Sequence, residues 1–193
     1  MANTKKYNLF TDDSGMVSDP ANAGYEGQDG PDIIEKVGVW RWPLVDKWKT
    51  KLLPLIEDAE TVLDFGGSAG PLGYGSIIVD WHDPKHKSFL DVPGKVDLIF
   101  SSHTVEHVAD FEGLMYAVRY KLKPGGWCCF HVPSWKMECW QAENNDQHEW
   151  TFSLAPCGSE WINLRQWFEN VFNNVITDED EKNLIIFGRR GVN

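Results

Sequence analysis

The chain has 193 residues, 42% of them hydrophobic and 24% charged, with a formal net charge of −11. That length suits one domain with a single core, burying roughly 70% of its unfolded surface, and no apolar run approaches the ~20 residues that span a bilayer. The acidic balance argues against a phosphate-tracking surface, since nucleic-acid affinity rests largely on Lys and Arg neutralising phosphates, so a small or neutral substrate is expected and nucleic acid and membrane are not.

The N-terminal stretch MANTKKYNLFTDDSG carries two lysines with no apolar region behind them. It does not read as a secretory signal, and a cytoplasmic location is expected. Residues 1–38 are polar, rich in Gly, Asp and Asn and without period, a tail or a lid; residues 39–193 read as one domain. Trp40, Arg41, Trp42 and Pro43 open a stretch with apolar residues at Leu44, Val45, Trp48 and Leu52, the spacing of an amphipathic helix. Pro54 disfavours helical geometry at Leu53 and is expected to stop or kink that helix.

Short apolar runs follow at 61–65 (TVLDF), 76–80 (SIIVD), 89–92 (FLDV, a weak third), 96–101 (VDLIFS) and 126–132 (GWCCFHV). Runs apolar on both faces are expected of buried parallel strands. Between the last two lies a helix from Asp110, its cap, to about Leu122, with Phe111, Leu114, Met115, Val118 and Leu122 on one stripe. The sequence LKPGG (122–126) ends it. A last helix is expected from about Ser159 to Asn170, with Trp161, Leu164 and Phe168 on one face, then strands near 171–177 and 183–189 joined by the hairpin link 178–182. Strands alternating with helices and then an antiparallel pair indicate an α/β fold with a mostly parallel sheet. The four cysteines, Cys128, Cys129, Cys139 and Cys157, form no CxxC pair and read as reduced and structural.

LDFGGSAG (63–70) runs a strand ending in Asp64 into Gly66, Gly67, Ser68 and Gly70. Glycine lacks the Cβ that would obstruct a ligand approaching the backbone. Asp80, at the tip of the second strand, can accept hydrogen bonds from both hydroxyls of a ribose. LDFGGSAG resembles the first motif of class I S-adenosylmethionine-dependent methyltransferases, VDLIFSSHTVEHVADF (96–111) their fourth strand and following turn, and LKPGGWCCFHVP (122–133) their fifth-strand motif. The likeness is nearest to the small-molecule (type 11) branch, and NDQHEWTFS (145–153) resembles its substrate-side loop.

The resemblance implies a Rossmann-like methyltransferase sheet with S-adenosylmethionine as cofactor. Asp64, Gly66, Gly67, Ser68 and Gly70 would line the methionine moiety, Asp80 would hold the ribose and Trp81 would cover the adenine. Asp91 would meet the adenine amino group, and Ser101, Ser102 and His103 would rim the sulfonium. The chain departs from the family pattern in having Ser68 in place of glycine and a short connection from Gly66 to Asp80 that carries Pro71, Gly73 and Gly75. Gly and Pro disfavour helix, so the first crossover helix is expected to be reduced. With only residues 81–88 before it, the third strand is expected to be stunted or missing and the helix ahead of it lost. The 43–53 helix, the N-terminal segment or a partner subunit would cover that flank.

Methyl transfer to an oxygen or nitrogen of a small molecule wants a base, and histidine is the usual one. His131 at the end of the fifth strand is the first candidate, with His107 and His148 behind it. Trp135, Trp140 and Trp150 could wall a ring or sugar. HTVEH (103–107) also matches the inverted zinc motif HxxEH, which needs a helix to bring its histidines together; inside a strand–turn match, it is read as no metal site. The alternative function is a binding or regulatory subunit of the same fold with lapsed catalysis, working with a partner subunit or as a homo-oligomer.

Overall fold

The structure, a computed structural model, describes residues 43–67, 72–156 and 161–192, and in the first helix the side chains of Trp48 and of Thr50 onward. The segment 1–38, the helix-opening Trp40, Arg41 and Trp42, the glycine-turn residues Ser68 and Gly70, Pro71, Cys157 and Ser159 lie outside the described residues.

Helix α1 (Pro43–Asp58) leads into β1 (Val62–Phe65), β2 (Ile77–Val79) and β3 (Val96–Ser102). A 3₁₀ turn (Val105–His107), α2 (Phe111–Lys121) and β4 (Leu122–Pro133) follow. After a second 3₁₀ turn (Glu138–Trp140) come β5 (Phe152–Ser153), β6 (Ile162–Asn163), α3 (Leu164–Val171), β7 (Asn173–Glu179) and β8 (Asn183–Arg189). The main sheet has the order β2-β1-β3-β4-β8-β7; β5 and β6 make a separate parallel pair. Strands β2, β1, β3 and β4 run parallel, while β8 is antiparallel to both β4 and β7. This is the expected Rossmann-like α/β architecture, mostly parallel with an antiparallel C-terminal hairpin.

Strand alternation divides the core in two. On one face Leu63, Ile99, Phe130 and Ile186 meet Leu114, Met115 and Val118 of α2 and Leu164 and Phe168 of α3. On the other, Leu98, Phe100, Cys129, Ile185 and Phe187 meet Leu52 and Ile56 of α1. Each such aliphatic side chain contributes about 1.5–3 kcal/mol on burial. Trp48 fastens the outer end of α1, its ring 5.4 Å from that of Phe187 and its Nε1 donating to Asp178 Oδ2 at 3.1 Å. Cys128 and Cys129 are fully buried and burial pushes both thiols up, as inert core residues require.

Helix α2 begins where the sequence places it, with Asp110 accepting from Gly113 N at 2.8 Å. Three expectations are corrected or sharpened. Pro54 does not stop α1, which continues to Asp58: the ring is exposed, and burial of Leu52 and Ile56 on either side holds the helix through it. The last helix starts at Leu164 rather than near Ser159, because Ile162 and Asn163 are taken by the ladder with Phe152 and Ser153. Asn163 then caps the helix by accepting from Gln166 N at 3.1 Å, and Trp161 lies ahead of it, its ring 5.5 Å from that of Trp135. Finally, 89–92 forms no strand: Phe89 and Val92 are buried in a turn, Leu90 is 88% exposed, and three-residue β2 is the sheet edge among the described residues.

Because Pro54 removes one hydrogen bond from the middle of α1, Pro54→Ala is expected to raise the unfolding free energy. A gain of about 2 kcal/mol in urea titration is the difference between restoring an interior helical residue and loosening the unfolded chain.

Candidate active site

In a parallel sheet a ligand crevice forms outside the carboxyl ends of the strands, and the polar residues of this chain collect there. Asp64 sits in β1, 2% exposed, and its Oδ2 accepts from Leu72 N at 2.6 Å. Gly66, with φ +85°, follows and donates its N–H to Val79 O at 2.9 Å, tying the glycine turn to the end of β2. Burial pushes the Asp64 carboxyl up to about 7; the Leu72 amide opposes this, and the charge of Asp80 adds to it. Asp80, 3% exposed, follows β2 and accepts at Oδ1 from His82 N at 2.9 Å. Two buried carboxylates thus flank one turn.

The turn's two described glycines are required by the protein itself. A Cβ on Gly66 would lie 1.9 Å from Thr104 Oγ1, and one on Gly67 would lie 2.1 Å from Asp64 Oδ2. The sequence reads these glycines as room for a ligand; in the structure Thr104 and Asp64 also occupy the place a Cβ would take. Asp64 likewise braces the loop backbone through Leu72. Asp91, the expected adenine partner, is exposed and closes the 87–91 turn, its Oδ2 accepting from Lys87 N at 2.9 Å and Ser88 N at 2.8 Å. Trp81 is half-buried with its ring 3.5 Å from that of His82.

At the end of β3, Ser101 Oγ donates to Phe65 O at 3.0 Å, locking β3 to β1. Ser102 Oγ meets His131 Nδ1 at 3.0 Å. His103 takes φ +49°, a left-handed conformation that turns its ring under the sheet end. There Nε2 lies 2.9 Å from Asn183 Oδ1, and the ring packs against those of His131 and Trp140 at 5.2 and 5.4 Å. His103 therefore belongs to an internal polar network rather than to an open rim.

The first-choice base is corrected as well. His131 is fully buried, and burial, then His103, holds it well below the usual imidazole range, so it stays neutral. A ring sealed in the sheet cannot take a proton from a substrate in the crevice, and its place is to position Ser102 and the β3 terminus. The other two candidates come together instead. Glu106 O accepts from Glu149 N at 2.8 Å and Trp150 N at 3.3 Å, zipping the 3₁₀ turn to the 147–150 loop and setting the His107 ring 4.8 Å from that of His148. Trp150 Nε1 donates to Val108 O at 2.7 Å and Trp140 is buried, so both indoles anchor the loop; Trp135 is half-buried beside Trp161. The sequence missed Asn183 and Leu72, one a hairpin residue and the other an ordinary apolar one, neither with a local signal.

The methyltransferase domain family matches residues 40–171. The chain belongs to that family. No curated protein matches it. Among solved structures, an O-methyltransferase family protein from Burkholderia thailandensis superposes with a TM-score of 0.52 at 14% identity over 77% of this chain, which spans only 55% of that protein. The N-methyltransferase NodS from Bradyrhizobium japonicum WM9 superposes with a TM-score of 0.50 at 16% identity, over 77% of this chain and 97% of NodS. These likenesses show the fold.

Members of the methyltransferase domain family take S-adenosylmethionine as methyl donor, and the donor set here fits it. The crevice offers carboxylates, acceptors suited to ribose hydroxyls and to an ammonium group, and the raised Asp64 carboxyl is one that a cationic ligand would help ionise.

Asp64 sets a pH dependence of stability. From the ordinary value of 3.8 up to about 7, the native state keeps a proton that the unfolded chain releases. Its contribution therefore falls as pH rises through that window and is constant above it. Asp64→Asn is expected to abolish this slope and to be the more stable protein at pH 8, by up to about 4 kcal/mol from the shift at 1.36 kcal/mol per unit. Denaturation midpoints of both proteins from pH 4 to 8 would check it, and parallel profiles would refute it.

Proposed function

We propose that this methyltransferase domain moves a methyl group from S-adenosylmethionine to an oxygen or nitrogen of a small molecule. The observation that carries the reading is the pairing of the Gly66 turn with the end of β2, which sets Asp80 beside the turn on the crevice side of the sheet. Asp80 would accept the ribose hydroxyls and Trp81 would cover the base. The turn's backbone, continuing through Ser68 and Gly70, would hold the amino-acid end. The acidic crevice and the chain's net charge of −11 favour a ligand carrying a net positive charge.

When bound, the cofactor supplies an electrophilic methyl group whose departure returns the bonding pair to sulfur. The chain's own residues orient and exclude water. Ser101 and Ser102, fixed to β1 and to His131, hold the β3 terminus in place. The acceptor is assigned to the Glu106–His107–His148 cluster at the same end of the sheet, which receives the proton the acceptor loses. His107 is the member that solvent and substrate reach, its side chain 36% exposed.

Calorimetric titration with S-adenosylmethionine and with its demethylated product tests the cofactor half of the reading. Saturable one-to-one binding is expected, weakened roughly 30-fold by Asp80→Ala, the equivalent of about 2 kcal/mol for lost hydrogen bonds to a charged group. Absence of heat with both ligands would overturn it.

A further inference from the structure

The HxxEH pattern does not form the site its sequence suggests. Val105–His107 is a 3₁₀ turn and His103 precedes it in a left-handed conformation, so the two histidines of the motif do not share a helix face. A different set assembles around the same glutamate. Glu106, His107 and His148 each offer a ligand atom, and these atoms all lie within 4.8 Å of one another.

The hydrogen bonds on the far side of each ring fix what the near side presents. His107 Nδ1 lies 2.8 Å from Gln147 O and His148 Nδ1 lies 2.6 Å from Trp140 O. A carbonyl oxygen only accepts, so both Nδ1 atoms carry the hydrogen, and in the neutral form of each ring the lone pair is on Nε2. A backbone carbonyl orienting each imidazole from behind is the usual support of a metal-ligating histidine. The His107 Nε2 atom lies 3.9 Å from Glu106 Oε1. His103 Nδ1 approaches the same oxygen to 3.7 Å, and its Nε2 lies against Asn183 Oδ1.

We propose that Glu106, His107 and His148 bind one divalent cation of the zinc type. Two imidazoles and a carboxylate are a donor set that borderline first-row ions favour over magnesium or calcium. Bonds of about 2.0–2.2 Å would draw the three atoms to roughly 3–3.5 Å apart, so the cluster would close by about an ångström on binding. Three protein ligands leave a coordination position for water or an acceptor oxygen. This deepens the proposed function, on whose placement of the acceptor it rests: a cation there would lower the pKa of a bound hydroxyl, whose proton then leaves to solvent instead of to an imidazole.

The test uses the full chain, stripped with a chelator and titrated with zinc against a chromophoric competitor, with no S-adenosylmethionine present. One equivalent per chain is expected, with visible absorption on substitution by cobalt and a raised melting temperature. His107→Ala, an exposed position that leaves the core intact, and His148→Gln are each expected to weaken binding at least 30-fold at an unchanged circular dichroism spectrum. A control variant lacking His82 and His86 binds as the parent does. Absence of one-to-one binding overturns the proposal, as does binding that survives His107→Ala or is lost in the control. Titration of the stripped protein with S-adenosylmethionine separately decides the cofactor reading.

Discussion

One buried hydrogen bond, from the Leu72 amide to the Asp64 carboxylate, holds the crevice end of this sheet together. The turn after β1 must leave the sheet and return at β2 without a helix among its described residues to support it. A carboxylate 2% exposed supplies the anchor instead, close enough to Gly67 that no larger residue fits. The cost is an acid held far from water, which is why its carboxyl titrates near neutrality. A buried ionisable group at the ligand end of a fold is a common sign of function, because stability alone would favour an apolar residue there.

A second joint faces it across the crevice end of β3. The 3₁₀ turn 105–107 and the 147–150 loop are far apart in sequence and are stitched by the carbonyls of Glu106, Val108 and Gln147. Thr104, packed against Gly66, links this joint to the first. A cofactor gripped at one and an acceptor held at the other would therefore be registered against each other by direct packing, with β3 between them as a rigid spacer. His131 and His103 support β3 from within: one bonds Ser102, the other Asn183 of the C-terminal hairpin.

The alternation of apolar runs and amphipathic stripes in the sequence determined the α/β class, four of the five parallel runs, the closing hairpin and helix α2 with its Asp110 cap, since these rest on periodicity and local capping. The shortness of 81–88 also pointed to a stunted or missing third strand, and 89–92 forms none. Helix ends were decided by tertiary structure. Pro54 is carried through by the burial of its neighbours, and Ile162 is claimed by a strand partner that no local pattern announces. The same holds for the histidines. In sequence His131 stands first as the base, with His107 and His148 behind it and His103 on the sulfonium rim, and only chain packing buries His131, turns His103 inward and carries His148 across some forty residues to meet His107. Local chemistry sets which residues can act; long-range packing sets which of them share a site, because burial and proximity are properties of the folded chain and not of any segment.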